Sequence, residues 1–121
     1  MKLFEYQAKS IFEKHLIPTP RGDVAFNKEM IYKIAEYFQN KCVIKAQAHV
    51  GGRGKAGGIK IANDKNEVKK MADLIYGMNL KDIIIDRVLV EEVLNIDKEY
   101  YISFTIDREK HSIVFISSIM G

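Results

Sequence analysis

Apolar positions recur at helical spacing in three stretches of the chain, and five other stretches read as extended. Residues 5–16 place Tyr6, Ile11 and Phe12 near one helical face, and Pro18 with Pro20 then end the helix and extend the chain. Asn27 is positioned to cap a second helix in which Met30, Ile31, Ile34, Ala35 and Phe38 form a stripe that reads as core. A third helix begins at a capping box of Asp64 and Glu67, carries Val68, Met71, Ala72 and Ile75 on its apolar face, and ends at Gly77. Between the second and third helices the period changes to two. Over residues 41–49, Ile44, Ala46 and Ala48 fall on one side and Val43, Lys45, Gln47 and His49 on the other. Residues 58–62 read as a short strand, and three more strand candidates follow at 87–94, 99–107 and 111–119, the last two joined by a charged turn. In the middle one Tyr100, Ile102, Phe104 and Ile106 face one way, and Glu99, Tyr101, Ser103 and Thr105 the other. This order predicts an α+β fold: a mixed, mainly antiparallel sheet with helices packed on one face.

Size adds that 121 residues suffice for one core and not for two ordinary domains. The 47% hydrophobic and 29% charged residues are those of a globular chain, with no apolar run long enough to span a bilayer. The first ten residues include Glu5 and no apolar segment, so neither a secretory signal nor a transit peptide is indicated, and a cytoplasmic location is expected. The single cysteine, Cys42, lies in an apolar run and reads as a small buried hydrophobe in a reducing compartment.

Net charge is only +3, but its distribution is uneven. No acid stands between Glu36 and Asp64, while Lys41, Lys45, Arg53, Lys55 and Lys60 surround HVGGRGKAGG, which holds five of the eight glycines. That surround favours an anion. Glu91, Glu92, Asp97 and Glu99 collect later, so one small domain offers a phosphate-seeking patch and a hydroxyl-seeking one. Gly52, Gly54 and Gly57 spell G-x-G-x-x-G after a strand, yet no helix begins before Asp64, so the helix dipole of a dinucleotide site is missing. A Walker A loop lacks its Lys-Ser/Thr pair. The kinase glycine loop fits in spacing, but Lys45 precedes the loop and no H-R-D or D-F-G segment exists. What remains is a hairpin flap whose bare N–H groups can approach phosphate oxygens.

The string VIKAQAHVGGRGKAGG, with the opening LFEYQAK and the later LVEE and DKEYY, resembles the beta subunit of succinate-CoA ligase (succinyl-CoA synthetase), an ATP-grasp enzyme. Malate-CoA ligase and the citrate-cleaving CoA ligases share much of the pattern. The resemblance implies the small lobe of an ATP-grasp fold, with residues 1–121 forming the N-terminal portion of a nucleotide-binding domain. It implies that Lys45 reaches the nucleotide phosphates, and that Gly52, Arg53 and Gly54 belong to the loop covering them. Glu91 and Leu94 would lie in the segment holding the adenine by backbone contacts, and Glu99 would accept hydrogen bonds from ribose hydroxyls.

The implied activity is that of an acid–thiol ligase subunit, coupling succinyl-CoA formation or cleavage to ATP and ADP with Mg²⁺ through succinyl-phosphate and a phosphohistidine. That histidine belongs to the alpha subunit in the family. His15 and His111 therefore read as surface or turn residues, and His49 as a support of the loop. The Mg²⁺ ligands, the catalytic groups and the CoA ligase domain are expected outside this chain. The implied partners are ATP or ADP, the alpha subunit and the remainder of the beta subunit, with no nucleic acid and no membrane. Two departures stand out: the connection over residues 77–87 is shorter than in many bacterial members, and the small-residue end suggests a piece of a longer subunit. Two other classes remain open. One is an assembly or regulatory module without nucleotide. The other is a nucleic-acid contact through Arg53 and Lys55, which the lack of an aromatic stacking platform disfavours.

Overall fold

The computed structural model describes residues 2–120; the closing Gly121 of the small-residue end lies outside them. Three helices, α1 (Glu5–Lys14), α2 (Lys28–Tyr37) and α3 (Lys65–Ile75), accompany eight strands: β1 (Gly22–Ala25), β2 (Cys42–Ala46), β3 (Ile59–Ala62), β4 (Asn79–Leu80), β5 (Ile83–Ile84), β6 (Val88–Glu92), β7 (Tyr101–Asp107) and β8 (Ser112–Ser118). The main sheet has the order β1-β6-β2-β3 and is antiparallel throughout. The fold is α+β, as the hydrophobic pattern predicts.

The second and third helices start where a side chain can satisfy their free N–H groups. The Asn27 carboxamide accepts from the Met30 N–H at 2.8 Å, and the Asp64 carboxylate accepts from the N–H groups of Asn66 and Glu67. The predicted capping box closes one residue early, because the Glu67 carboxylate accepts from the N–H of Asn63. The third helix ends at Ile75, two residues before Gly77, which takes φ +86° beyond the Tyr76 cap.

The connections β1-α2-β2 and β3-α3-β6 each join like-pointing strands with one strand inserted between them. They run oppositely across the sheet, so crossovers of one hand bring both helices to the same face. There Ile31, Ala35, Val68, Ala72 and Ile75 pack on Ala25, Cys42, Ile44, Val88 and Val90. Cys42 lies in that core, and burial pushes its thiol up to about 11, so it stays protonated.

The opposite face carries the odd-numbered members of β2 and β6. The first helix crosses it, since Glu5 and Lys9 meet Lys45 and Glu91 there. Ile11 and Phe12 are 43% and 46% exposed, and α1 docks on the sheet by charge. Two further corrections concern strands. The segment between α3 and β6 folds into the β4–β5 hairpin, with Lys81 and Asp82 at φ 51° and 66°. The predicted strand from residue 99 begins at Tyr101, and it pairs only with β8. Its aromatic positions therefore do not face the core, and Phe104 and Phe115 lie against each other in the open, their rings tilted by 45° with centroids 5.0 Å apart.

Candidate functional site

The β2–β3 hairpin delivers Lys45 to the open face, one residue before the chain leaves β2 for the glycine-rich connection. Across the sheet Lys45 opposes Leu89, and Val43 opposes Glu91, so Lys45 and Glu91 are diagonal neighbours on one face. The Lys45 ammonium stands 2.6 Å from Glu91 and 3.2 Å from Glu5. Lys9 pairs with both carboxylates as well. Burial works against the Lys45 charge, but the hydrogen bond it donates to Glu91 and the two nearby carboxylates outweigh it and raise its pKa. Burial likewise pushes Glu5 up, yet the Lys45 charge with hydrogen bonds from Arg53 and Lys9 holds its carboxyl at about 2. Both groups are ionised at neutral pH.

Glu91 is 2% exposed, which no solvated strand-end charge would be. It fits because β1 places Gly22 opposite it: a Cβ at Gly22 would fall 2.6 Å from the Glu91 Cγ and from the Val90 carbonyl oxygen. Its neighbour Glu92 points to the other face, as strand alternation requires, and grips the Arg21 guanidinium at 2.7 Å.

The glycine-rich connection lies folded down. Turn bonds run from the N–H of Ala56 to the Gly52 carbonyl and from the N–H of Gly58 to the Arg53 carbonyl, with Gly52 and Gly57 at φ 72° and 79°. These values favour glycine because a Cβ would crowd the backbone there. Side chains pin the turn. Arg53 donates to the Ala46 carbonyl at 2.7 Å and to Glu5 at 2.6 Å, and Lys81 of the β4–β5 turn donates to the Gly51 carbonyl at 2.7 Å. His49 stacks on Phe4 at 3.9 Å, a support of the loop's first residues. Gln47, fully buried, accepts from the Tyr6 N–H and ties α1 to the end of β2.

Beside Lys45 opens a cleft of about 340 Å³ whose walls include Val43, Ile59, Ile61, Leu94 and Ile96. Lys45, Glu91, Leu94 and Glu99 all line it. Glu99 does so from the irregular segment before β7, not from a strand face. Gly52, Arg53 and Gly54 do not reach its wall; they connect to it through Glu5, which bridges Arg53 and Lys45. Chemically the cleft joins an apolar slot to a cationic end and the Glu99 carboxylate. A larger groove of about 550 Å³ between Glu13, Arg21, Lys33 and Tyr37 holds none of the predicted residues.

Glu5, Lys9, Gly22 and Lys81 are the participants that sequence reasoning passes over. The i, i+4 spacing of Glu5 and Lys9 on a helix is the one local signal among them. Among the described residues no cluster of three His, Cys, Asp or Glu side chains could hold a metal ion. No helix among the described residues is long and apolar enough to cross a membrane.

The chain is 47% identical over 121 residues to the beta subunit of the GDP-forming succinate–CoA ligase of Thermus thermophilus, covering all of this chain and 32% of that protein. It is 50% identical over 121 residues to the ADP-forming beta subunit 1 of Archaeoglobus fulgidus, again 32% of that protein. Among solved structures, PH1788 from Pyrococcus horikoshii superposes with a TM-score of 0.83 at 21% identity, over 98% of this chain and 52% of that one. A dinucleotide-forming acetyl-coenzyme A synthetase of Ca. Korarchaeum cryptofilum gives 0.80 at 22%, over 96% and 53%. Those two likenesses concern the fold. The chain spans about a third of the length of the curated relatives it matches. The ATP-grasp domain model matches residues 2–121, and the chain belongs to that family.

Proposed function

We propose that this chain is the nucleotide-gripping lobe of a succinate–CoA ligase beta subunit, in which Lys45 binds the phosphates and Glu99 the ribose. The observation that carries the reading is the shared cleft: a buried-stem lysine and a carboxylate about fifty residues apart in sequence line one cavity, with Glu91 beside the lysine and an apolar stretch of Val43, Ile59, Ile61, Leu94 and Ile96 in the same wall. The base would lie against Val43, Ile61 and Leu94, near the segment that begins at Glu91. The polyphosphate would extend toward Lys45, and the loop of Gly52, Arg53 and Gly54 would close on it, its backbone N–H groups meeting phosphate oxygens. Lys45 contributes a fixed positive charge where the transferred phosphoryl group is most negative.

The Mg²⁺ required for that transfer would be held by residues outside those described, as would the phosphohistidine of an alpha subunit and the CoA site. The whole assembly would act in the cytoplasm as an acid–thiol ligase of the tricarboxylic acid cycle. The relatives include a GDP-forming and several ADP-forming subunits, so both nucleotides belong in the test. Titration calorimetry of the chain with ADP and with GDP should show weak binding of one or both, and Lys45→Met should abolish it. Full affinity in Lys45→Met would overturn the assignment.

A further inference from the structure

Three cations and two carboxylates meet over β2 and β6: Lys9, Lys45 and Arg53 against Glu5 and Glu91. The two acids are not equivalent. Glu91 is sealed under the sheet-facing side of α1, in the space that Gly22 leaves free, and it cannot move without breaking β1–β6 packing. Glu5 is about one-fifth exposed, at 21%, and sits in the first turn of a helix that has no buried residue. Its two oxygens are divided between the glycine loop and the strand: one meets Arg53 at 2.6 Å, the other Lys45 at 3.2 Å. Glu5 is thus the one movable anion in the cluster, and it holds the two groups that the phosphate reading assigns to the nucleotide.

We propose that Glu5 is a built-in competitor for the polyphosphate, an intramolecular anion that keeps the loop folded down in the free protein and yields Lys45 and Arg53 when a phosphate-bearing ligand enters. This rests on the nucleotide reading above. The physical reason is charge. A polyphosphate brings several negative charges to a cluster with one unmatched positive charge, and it would repel Glu5 at hydrogen-bond distance. Glu5 has a place to go, because Lys9 lies one helical turn away at 3.0 Å and is shared with Glu91. Release therefore loosens the start of α1, whose Tyr6 N–H bonds to Gln47 at 3.3 Å, and frees the loop to rise onto the phosphates. Ligand binding and movement of α1's first turn become one event.

Two measurements test this. In titrations of the chain with pyrophosphate and with ADP, Glu5→Gln should bind both about fivefold or more tightly than the wild type at low ionic strength, because the competitor has lost its charge. The gain should shrink as salt is added. Equal or weaker affinity in Glu5→Gln, with wild-type binding intact, would overturn the competitor while leaving the nucleotide site standing; absence of binding by a folded wild type would remove both. The second measurement needs no variant. Hydrogen exchange of the wild type should show pyrophosphate accelerating the amides of Tyr6, Gln7 and Ala8 while slowing those of residues 51–58. Protection of both segments together would contradict the exchange of partners.

Discussion

Lys45 carries two loads that one substitution can separate. Its ammonium neutralises Glu91, a carboxylate with 2% exposure, and it is the candidate phosphate ligand. Lys45→Met should cost about 2 kcal/mol in urea denaturation, less than the full loss of a buried pair because Lys9 still reaches Glu91. Adding Glu91→Gln should return part of that stability and none of the nucleotide affinity. A double variant as unstable as the single one would mean that Lys45 matters through packing of its stem. Glu5 gives the pH dependence. Its folded pKa of about 2 lies below its ordinary 4.5, so its contribution to stability is whole above 4.5 and is lost as pH falls toward 2. After allowance for partial exposure this amounts to about 1 to 2 kcal/mol. The stability gap between wild type and Glu5→Gln should be constant from pH 7 to 5 and close between 4.5 and 2, read by denaturant midpoints across that range.

At the scale of elements, the site depends on a pairing that the hydrophobic pattern barely records. Gly22→Ala sets a Cβ 2.6 Å from both the Val90 carbonyl and the Glu91 side chain, and neither can retreat far within the sheet. We expect a loss of about 2 to 3 kcal/mol by thermal or chemical unfolding, with nucleotide affinity falling as Glu91 is pushed toward Lys45. An unchanged midpoint would show that β1 slides to make room. The same strand shows why some elements were legible and others not. The second and third helices announce themselves through Asn27, Asp64 and stripes at helical spacing, and β2 through its alternation, because each meets the core with several apolar residues. β1 is four residues, G-D-V-A, with only Ala25 fully buried, so pattern has nothing to count. The β4–β5 hairpin turns on Lys81 and Asp82 at positive φ without a glycine, a choice made by tertiary contacts such as the Lys81 bond to Gly51. The acid-free cationic stretch and Glu91 were visible, but the pairing of Lys45 with Glu5 and Glu91 was not, since those acids arrive from about forty residues or more to either side.

Across the whole molecule, order is distributed unevenly. One face of the main sheet is sealed by α2 and α3, and the other is shared between α1 and the open cleft. β7 and β8 stand apart from both, a two-stranded ribbon joined to the rest through the irregular segment that carries Leu94 and Glu99. Phe104 is 72% and Phe115 55% exposed, so the ribbon's stability comes from seven cross-strand pairs and not from a covering layer. Isolated ribbons of that kind are marginal in water, whereas β2 and β6 are central, paired on both sides and buried. Native-state hydrogen exchange should therefore separate them. The amides of Val43 and Val90 should open only with global unfolding, and those of Phe104 and Val114 should exchange at least about a hundredfold faster. Because Glu99 sits at the base of the ribbon, bound nucleotide should slow exchange at Tyr101 and Ile102 more than at the far end near Asp107. Uniform protection of the ribbon in the free chain, rising with protein concentration, would instead mean that a second copy covers its apolar faces, and the cleft would then have to be described with that copy in place.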